Sequence, residues 1–327
     1  MSVLVTGGSG FVGSHVVEML LSKEHDVVCP VRNPLSSRHL EKMPVRIASL
    51  DRLEALLDEA RPEYVFHIAG ATRALDYEGY RRANVELTGR LLDLLSRSEA
   101  LPTLKRFVLV SSQAASGPSI HGSSFRTEED PPSPVSLYGR SKLEAEKLVL
   151  QRSGEIPVTI VRPPTVFGPR DVDVLGVFKC ARFRVAPCIA GPDRFVSIIY
   201  VKDLVDGILA AAFAPNAVGE TYFLANPKPV IWRQFAVRVA QLMGYRATAL
   251  PVPVSIMRVA AWCGDLKGRI SDTPPLLRSE KLLDMTQVAW VCSSEKAYRQ
   301  LGWRPKVPLD EAIRNTAAWY RTHGWIR

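Results

Sequence analysis

A glycine-rich turn near the start of the chain constrains the fold more than any other feature. Residues 2–5 form a short apolar run of the kind found in buried strands, and a helical pattern follows the turn as far as Leu21. Between them lie Gly7, Gly10 and Gly13. Glycines in such a strand–turn–helix unit allow a tight turn, let a diphosphate approach the backbone, and let the helix pack closely on the strand. The sequence therefore predicts a dinucleotide-binding βα unit, with the diphosphate on the N–H groups of the helix start.

Strands and helices then alternate to about residue 160, which predicts a doubly wound parallel sheet of the α/β class. We expect a Rossmann-type domain over residues 1–165, to which residues 200–225 return. A smaller C-terminal substrate lobe would comprise residues 166–199 and 226–327. The predicted strands are 2–6, 27–31, 45–48, 64–68, 107–111 and 158–162, and the long predicted helices are 76–98 and 135–152.

A tyrosine and a lysine stand four residues apart at the start of the second long helix. At this spacing Tyr138 and Lys142 share one helix face, with Cβ atoms about 5–6 Å apart. A nearby ammonium favours the phenolate and lowers the tyrosine pKa from about 10. Such a tyrosine can exchange a proton with a carbonyl or an alcohol. Taken alone, the pair is more often a solvated helix face than a site.

Two serines, Ser111 and Ser112, close the predicted strand that precedes this helix. Ligands of open α/β sheets bind beyond the carboxyl ends of the strands. A hydroxyl at that edge can donate to a substrate carbonyl and stabilise developing oxyanion charge. A serine that merely ends a strand is the alternative interpretation.

Together these motifs resemble the short-chain dehydrogenase/reductase superfamily, in its extended branch. The resemblance rests on residues 6–13, 67–70, 84–85, 111–112, 138–142, 162–169 and 200–204. It implies that Tyr138 is the catalytic acid/base, that Lys142 binds the nicotinamide ribose, and that Ser112 holds the substrate oxygen. Asn84 matches a family asparagine, although Leu87 replaces the glycine that follows it in the family. The resemblance also implies a homodimer in which the two long helices pair with those of a second copy.

The resemblance also assigns the binding residues. The expected cofactor contacts are Thr6, Gly7, Gly10, Phe11, Val12, Gly13, Arg32, Ser49, Leu50, Ala69, Gly70, Ala71, Tyr138, Lys142, Pro163, Thr165 and Val166. The expected substrate contacts are Gln113, Thr165 and Phe178.

The end of the second strand favours NADP over NAD. An NAD enzyme places a carboxylate there to hold the ribose 2′-hydroxyl, but Val31 occupies that place. Arg32 follows and Arg38 is nearby, and a guanidinium can grip a 2′-phosphate with two hydrogen bonds. NAD remains the alternative if Arg32 is only a surface charge. The family's Gly-Asp pair after the third strand is Ala48-Ser49 here.

Composition excludes some other functions. The net charge of +9 favours anionic partners such as nucleotides, but no basic run of the kind that binds nucleic acid is present. The five cysteines form no C-x-x-C pair, so we expect neither a metal site nor a redox motif. No apolar run reaches the roughly 20 residues of a membrane span, and no signal peptide precedes the first strand. We therefore expect a cytoplasmic protein without integral membrane association.

The later half of the chain says less about the substrate. Residues 254–266 form an apolar helix that could line a pocket, rest on a membrane surface, or simply pack against the lobe. Sugar-nucleotide epimerases and dehydratases of this branch carry Asn where Thr165 stands, and dehydratases carry an acidic pair where Gln113-Ala114 follow Ser112.

The leading expectation is therefore an NADP-dependent oxidoreductase that interconverts a ketone or aldehyde with an alcohol and takes a small-molecule substrate. The alternatives are a sugar-nucleotide epimerase or dehydratase with tightly bound NAD, and a non-catalytic NADP-sensing regulator.

Overall fold

A computed structural model describes residues 1–33, 39–119, 124–271, 275 and 277–326 of the chain. The strands of these residues are β1 (Ser2–Thr6), β2 (Asp26–Val31), β3 (Arg46–Ser49), β4 (Tyr64–His67), β5 (Arg106–Val110), β6 (Val158–Arg162), β7 (Thr165–Phe167), β8 (Val185–Ile189), β9 (Phe195–Val196), β10 (Ile198–Tyr200), β11 (Thr221–Phe223), β12 (Val230–Ile231), β13 (Thr248–Val252) and β14 (Ala289–Trp290). The α-helices are α1 (Phe11–Ser22), α2 (Leu53–Ala60), α3 (Tyr77–Tyr80), α4 (Leu87–Arg97), α5 (Gln113–Ser116), α6 (Leu137–Gln151), α7 (Leu175–Arg182), α8 (Val201–Phe213), α9 (Trp232–Leu242), α10 (Val254–Ser271), α11 (Ser279–Met285), α12 (Glu295–Leu301) and α13 (Leu309–Thr322).

Seven parallel strands form the main sheet, in the order β3-β2-β1-β4-β5-β6-β11. The central strands β1, β4 and β5 are mostly apolar and buried, as expected for a sheet with helices on both faces. Val3 and Val5 point into a core shared with α1 and α8, whereas Leu4 points into a second core shared with α2, α4 and α6. This is the doubly wound, Rossmann-type α/β fold that the sequence predicts. The strand order reverses between β1 and β4, and ligands bind at the carboxyl edge of such a point.

The remaining strands lie outside the main sheet. Strand β7 pairs with β10, β8 pairs with β13, and β9 lies between β12 and β14. A third core, which includes Phe167, Phe178, Phe235, Ile313 and Tyr320, joins α7, α9 and α13. These elements correspond to the smaller C-terminal lobe expected from the sequence. The residue boundaries of the two domains stay a prediction.

The predicted helix over residues 76–98 is helical from Tyr77 to Arg97, but it is not a regular α-helix throughout. It begins as α3, passes through a π-helical turn at Arg81–Glu86, and continues as α4. A π-helical turn inserts an extra residue and is frequent at functional sites. It carries Asn84, whose side chain is almost fully buried and forms three hydrogen bonds to groups outside the helix.

Candidate active site

The turn after β1 can be built only with glycine. Gly7 has a φ of +74°, and a Cβ there would lie 2.5 Å from the backbone nitrogen of Ala69. A Cβ on Gly13 would lie 2.1 Å from the carbonyl oxygen of Gly7, so any side chain would push the helix off the strand. The Gly10 N–H donates to that same carbonyl at 2.9 Å and closes the turn.

The start of α1 fits an anion. The helix begins at Phe11 with Gly10 as its N-cap, and it has neither a side-chain cap nor an acidic residue in its first turn. Because Phe11, Val12 and Gly13 form the first turn, their N–H groups have no partner within the helix, and the helix dipole adds partial positive charge. These groups suit the diphosphate of a dinucleotide.

A cationic side chain lies at the carboxyl end of β2, the strand next to β1. Arg32 follows β2 and is exposed, and β2 pairs with β3, which ends at Ser49. The Ser49 hydroxyl donates to the Asp51 carboxylate at 3.2 Å, and partly buried Leu50 begins the next turn. An exposed guanidinium at this position suits the 2′-phosphate of NADP. Arg38, the second predicted cation, lies outside the described residues.

The hydroxyl of Thr6 forms hydrogen bonds within the core beneath the glycine turn. Thr6 is fully buried, and its Oγ1 lies 2.6 Å from Nδ1 of His67. His67 Nε2 lies 2.9 Å from Oγ1 of Thr88, and burial lowers the pKa of His67 to about 3, so this histidine is neutral. The Ala69 N–H donates to the Thr6 hydroxyl at 3.4 Å. Thr6 could therefore reach a cofactor only through its backbone.

Asn84 fixes the loop that follows β4. Its Oδ1 accepts from the Ala71 N–H at 2.8 Å, and its Nδ2 donates to the Ala71 carbonyl at 3.1 Å and to Ser141 Oγ at 2.8 Å. A Cβ on exposed Gly70 would lie 2.6 Å from Asn84 Oδ1 and 3.6 Å from Lys142 Nζ. The asparagine thus joins the loop to the helix that carries the predicted catalytic pair, despite the altered family motif at Leu87.

Tyr138 lies in the first turn of α6, beside Ser112. Ser136 caps this helix by accepting the N–H three residues on at 3.1 Å. Ser112 caps α5, where its hydroxyl accepts the Ala114 N–H at 3.1 Å, and it is also hydrogen-bonded to Tyr138. Ser111 is buried behind it. The structure therefore brings Ser112, and not Ser111, to the tyrosine.

Lys142 lies one turn further along α6. Its Nζ is buried and donates to the Val110 carbonyl at 2.9 Å, at the end of β5. Burial lowers the pKa of Lys142 to about 8, although the Glu146 carboxylate opposes this shift. Glu146 in turn forms a buried ion pair with Arg162, 2.6 Å apart, which ties α6 to β6.

The expected effect of the lysine on the tyrosine is not what the structure shows. Burial raises the pKa of Tyr138 to about 12, against a lowering effect of the hydrogen bond to Ser112. Desolvation of the phenolate outweighs the favourable contacts, because a buried anion loses its hydration. In this state Tyr138 is a protonated donor at neutral pH.

Three residues at this site were not found from the sequence. Glu280 Oε1 accepts the Tyr138 N–H at 3.3 Å, and its Oε2 accepts the hydroxyl of Tyr80 at 3.3 Å. One turn on, Asp284 is buried and hydrogen-bonded to Ser136, and burial raises its pKa to about 6. Glu280 and Asp284 belong to α11, and Glu280 is 142 residues after the tyrosine, so no local spacing links this helix to α6.

A cleft opens between the loop after β4 and α11. The residues that line it include Thr72, Arg73, Tyr80, Asp173, Arg278 and Glu280. Tyr80 connects this cleft with the predicted catalytic tyrosine, because its ring centroid lies 6.0 Å from that of Tyr138.

The predicted substrate residues divide into two groups. Thr165 and Val166 open β7 and are partly exposed, next to buried Pro163. Gln113 is buried, and its Nε2 has no hydrogen-bond partner among the described residues, which fits a contact to a ligand. Phe178 is fully buried in the core of the lobe, against an aromatic ring of α13. The structure gives Phe178 a packing role.

Known proteins similar to this chain include reductases and an epimerase. A ceramide reductase of Caulobacter vibrioides (strain NA1000 / CB15N) is 28% identical over 329 residues, 99% of this chain and 96% of that protein. A ketoreductase of Stigmatella aurantiaca that acts on a farnesyl-dihydroquinoline-1-oxide is 28% identical over 96% of this chain and 95% of that protein. A UDP-glucose 4-epimerase of Vibrio cholerae is 27% identical over 97% of this chain and 94% of that protein.

The family itself follows from a match to a family model. A sequence profile described as the NAD dependent epimerase/dehydratase family matches residues 3–225, which include the glycine turn, Ser112, Tyr138 and Lys142. This match agrees with the doubly wound sheet and with the resemblance to extended short-chain dehydrogenases/reductases. The chain belongs to the NAD dependent epimerase/dehydratase family.

Proposed function

We propose that this protein is an NADP-dependent oxidoreductase that interconverts a ketone or aldehyde with an alcohol. The observation that carries the proposal is the convergence of three groups at the carboxyl edge of the sheet. Ser112 is hydrogen-bonded to Tyr138, and Lys142 follows one helical turn later with its amine at the end of β5. The glycine turn lies at the same edge, at the point where the strand order reverses.

The nicotinamide, when bound, supplies or accepts the hydride. In the direction of reduction, Tyr138 donates its proton to the substrate oxygen, and its raised pKa keeps that proton in place until the oxygen becomes basic. The Ser112 hydroxyl donates to the same oxygen and holds it. A charged Lys142 favours the phenolate that remains, and its pKa of about 8 leaves it largely protonated at neutral pH.

An apolar carbonyl compound is the substrate class we favour. Two of the similar proteins named above are a ceramide reductase and a ketoreductase of a farnesylated compound. Thr165 replaces the asparagine of sugar-nucleotide enzymes, and Gln113, with its unpartnered Nε2, replaces an acidic residue after Ser112. We propose Gln113 and Thr165 as substrate contacts, whereas Phe178 is fully buried in the core of the lobe.

The epimerase alternative requires a cofactor that stays bound to the protein. A sugar-nucleotide epimerase regenerates its cofactor in each cycle, so the purified protein would carry NAD and need none added. The similarity to the epimerase of Vibrio cholerae keeps this alternative open. The presence of Ser112, Tyr138 and Lys142 in one site argues against a non-catalytic regulator.

The test of the proposal is a substitution that removes the hydroxyl of Tyr138 and keeps the shape of the site. Tyr138→Phe removes the donated proton and retains the ring, so kcat for NADPH-dependent reduction of an apolar ketone should fall at least about 100-fold. The dissociation constant of NADPH, measured by fluorescence, should change little.

Tyr77→Phe is the matched control, because Tyr77 is the first residue of α3 and is not placed in the site. Full turnover in the Tyr138→Phe variant would rule the mechanism out. Isomerisation of UDP-glucose without added cofactor would favour the epimerase.

A further inference from the structure

Helix α10 lies almost entirely on the surface of the lobe. Of its 18 residues only Ala261 and Gly268 are buried. Its large apolar side chains are exposed, with Val259 and Trp262 each 63% exposed and Ile270 80% exposed. Exposed apolar groups that cluster in this way indicate an interaction surface. The packing role that the sequence left open for this helix does not explain them.

The exposed apolar residues share one side of the helix. At 3.6 residues per turn, they project within an arc of about 120°. The centre of that arc is opposite Ala261 and Gly268, which face the lobe. We call this arc the α10 apolar face, and its members are Ile256, Val259, Trp262, Leu266 and Ile270. In most surface helices the outward face is polar, so α10 has the reverse arrangement.

Positive charges border the α10 apolar face on both sides. By the same geometry, Arg258 and Arg269 follow one edge and Lys267 the other, and all three are exposed. The acidic residue of the helix, Asp265, is turned toward the lobe, where its Oδ1 accepts from Arg278 Nε at 2.8 Å. The outward side of α10 is therefore apolar in the middle and cationic at its margins.

We propose that α10 docks this protein onto an anionic lipid bilayer. An interfacial helix buries its apolar face about 5–10 Å into the boundary between headgroups and acyl chains. Long basic side chains at the margins then extend to the lipid phosphates. None of the described helices is long and apolar enough to cross a membrane, so α10 would lie in the plane of the surface.

A second copy of the chain suits this face less well. Pairing two α10 apolar faces would bring three cations of one copy against three of the other. The chain already carries a net charge of +9, so this contact would be repulsive. An anionic bilayer satisfies both the apolar centre and the basic margins.

The position of α10 connects the docking surface with the active site. A Cβ on Gly268 would lie 3.0 Å from the side chain of Leu75, in the loop that runs from Ala71 toward α3. Arg278, which holds Asp265, also donates to the Leu75 carbonyl at 2.8 Å and directly precedes α11. A docked enzyme would thus hold its substrate cleft near the bilayer, where an apolar ketone dissolves. This benefit rests on the proposed function, but the docking does not.

The experiment is flotation of the full chain with phosphatidylcholine vesicles, with and without phosphatidylglycerol. We expect the wild type to float with the anionic vesicles, and less so at high salt. The variant with Trp262→Ser, Leu266→Ser and Ile270→Ser should lose at least about tenfold in partitioning, since burial of large apolar side chains drives the binding of an interfacial helix. Val218→Ser, at an exposed apolar residue between α8 and β11, should behave as the wild type.

A second variant tests the margins. Arg258→Gln, Lys267→Gln and Arg269→Gln together should reduce binding to the anionic vesicles on the order of 100-fold, because each basic residue contributes about 1 kcal/mol near such a surface. Equal behaviour of the wild type and the serine variant, whether both float or both stay in solution, would overturn the proposal. A serine variant that changes the mass of an oligomer while the wild type ignores vesicles would assign the face to a second copy. Activity of each variant on a water-soluble ketone reports separately on the proposed reaction.

Discussion

At the scale of single residues, the surroundings of a side chain change the role that its residue type suggests. Thr6 has a hydroxyl at the cofactor turn, but His67 engages it in the core. Tyr138 has a cation one turn away, but burial still raises its pKa. Arg32, by contrast, is exposed at the end of β2, where a charge remains available to a ligand. Exposure decides which of these side chains can meet a cofactor.

Arg32 sets the expected preference for the cofactor. Arg32→Gln removes the guanidinium and keeps a polar side chain, so KM for NADPH should rise about tenfold or more, while KM for NADH changes little. Arg52→Gln is a matched control, since Arg52 is an exposed arginine that pairs with Glu59. Steady-state kinetics with both cofactors measures the effect. An equal change in KM for both cofactors would show that Arg32 does not bind the 2′-phosphate.

At the scale of elements, α6, which carries Tyr138 and Lys142, is held from three directions. Its N-terminal turn lies beneath two acidic side chains of α11, and its middle is tied to β6 by the pair of Glu146 and Arg162. The π-helical turn before α4 adds the hydrogen bond from Asn84 to Ser141. Negative charge near a helix N-terminus is favourable, which explains why α11 can place the Glu280 carboxylate at the Tyr138 N–H.

Asp284 of α11 makes stability depend on pH. Burial raises its pKa from the ordinary 3.8 to about 6, so the folded state binds the proton more tightly than the unfolded state. Its contribution is therefore fully present below about pH 4 and is lost as pH rises through about 6. Asp284→Asn mimics the protonated form and should raise the free energy of unfolding at pH 8 by up to about 3 kcal/mol, with little change at pH 4.

Thermal unfolding at the two pH values tests this expectation. Asp26→Asn, at an exposed carboxylate at the start of β2, is the control and should shift stability little at either pH. A difference between Asp284→Asn and the wild type that is the same at pH 4 and pH 8 would contradict the assignment.

At the scale of the whole molecule, two separate surfaces are proposed to contact partners. The α10 apolar face is bordered by cations and suits a bilayer. The outer side of α4 and α6 is mostly charged, with Leu150 as an exposed apolar residue. The resemblance to the family places a second copy there, and this assembly stays a proposal. The described cysteines are all free.

The proposed homodimer has a direct test. Light scattering should give twice the chain mass of 36.2 kDa at micromolar concentration. Leu150→Asp should lower the apparent mass, because it places a charge in the interface, whereas Val218→Asp should not. A monomer mass for the wild type would remove the dimer, and loss of the dimer in the α10 serine variant instead would move the interface to that helix.

The sequence by itself determined what depends on local pattern. Alternating strands and helices predicted the doubly wound sheet, and the predicted strands agree with the structure to within one residue at each end. The glycine turn, Ser112 and the spacing of Tyr138 and Lys142 predicted the site because short spacing on one element fixes which side chains are neighbours.

Only the tertiary structure decided what depends on distant contacts. The π-helical turn at Asn84 forms because its side chain is engaged by the loop after β4, which no helical propensity encodes. Glu280 and Asp284 reach Tyr138 from an element far along the chain. The pKa values of the tyrosine and the lysine, and the outward direction of the α10 apolar face, follow from burial, and burial is a property of the packed molecule rather than of any segment.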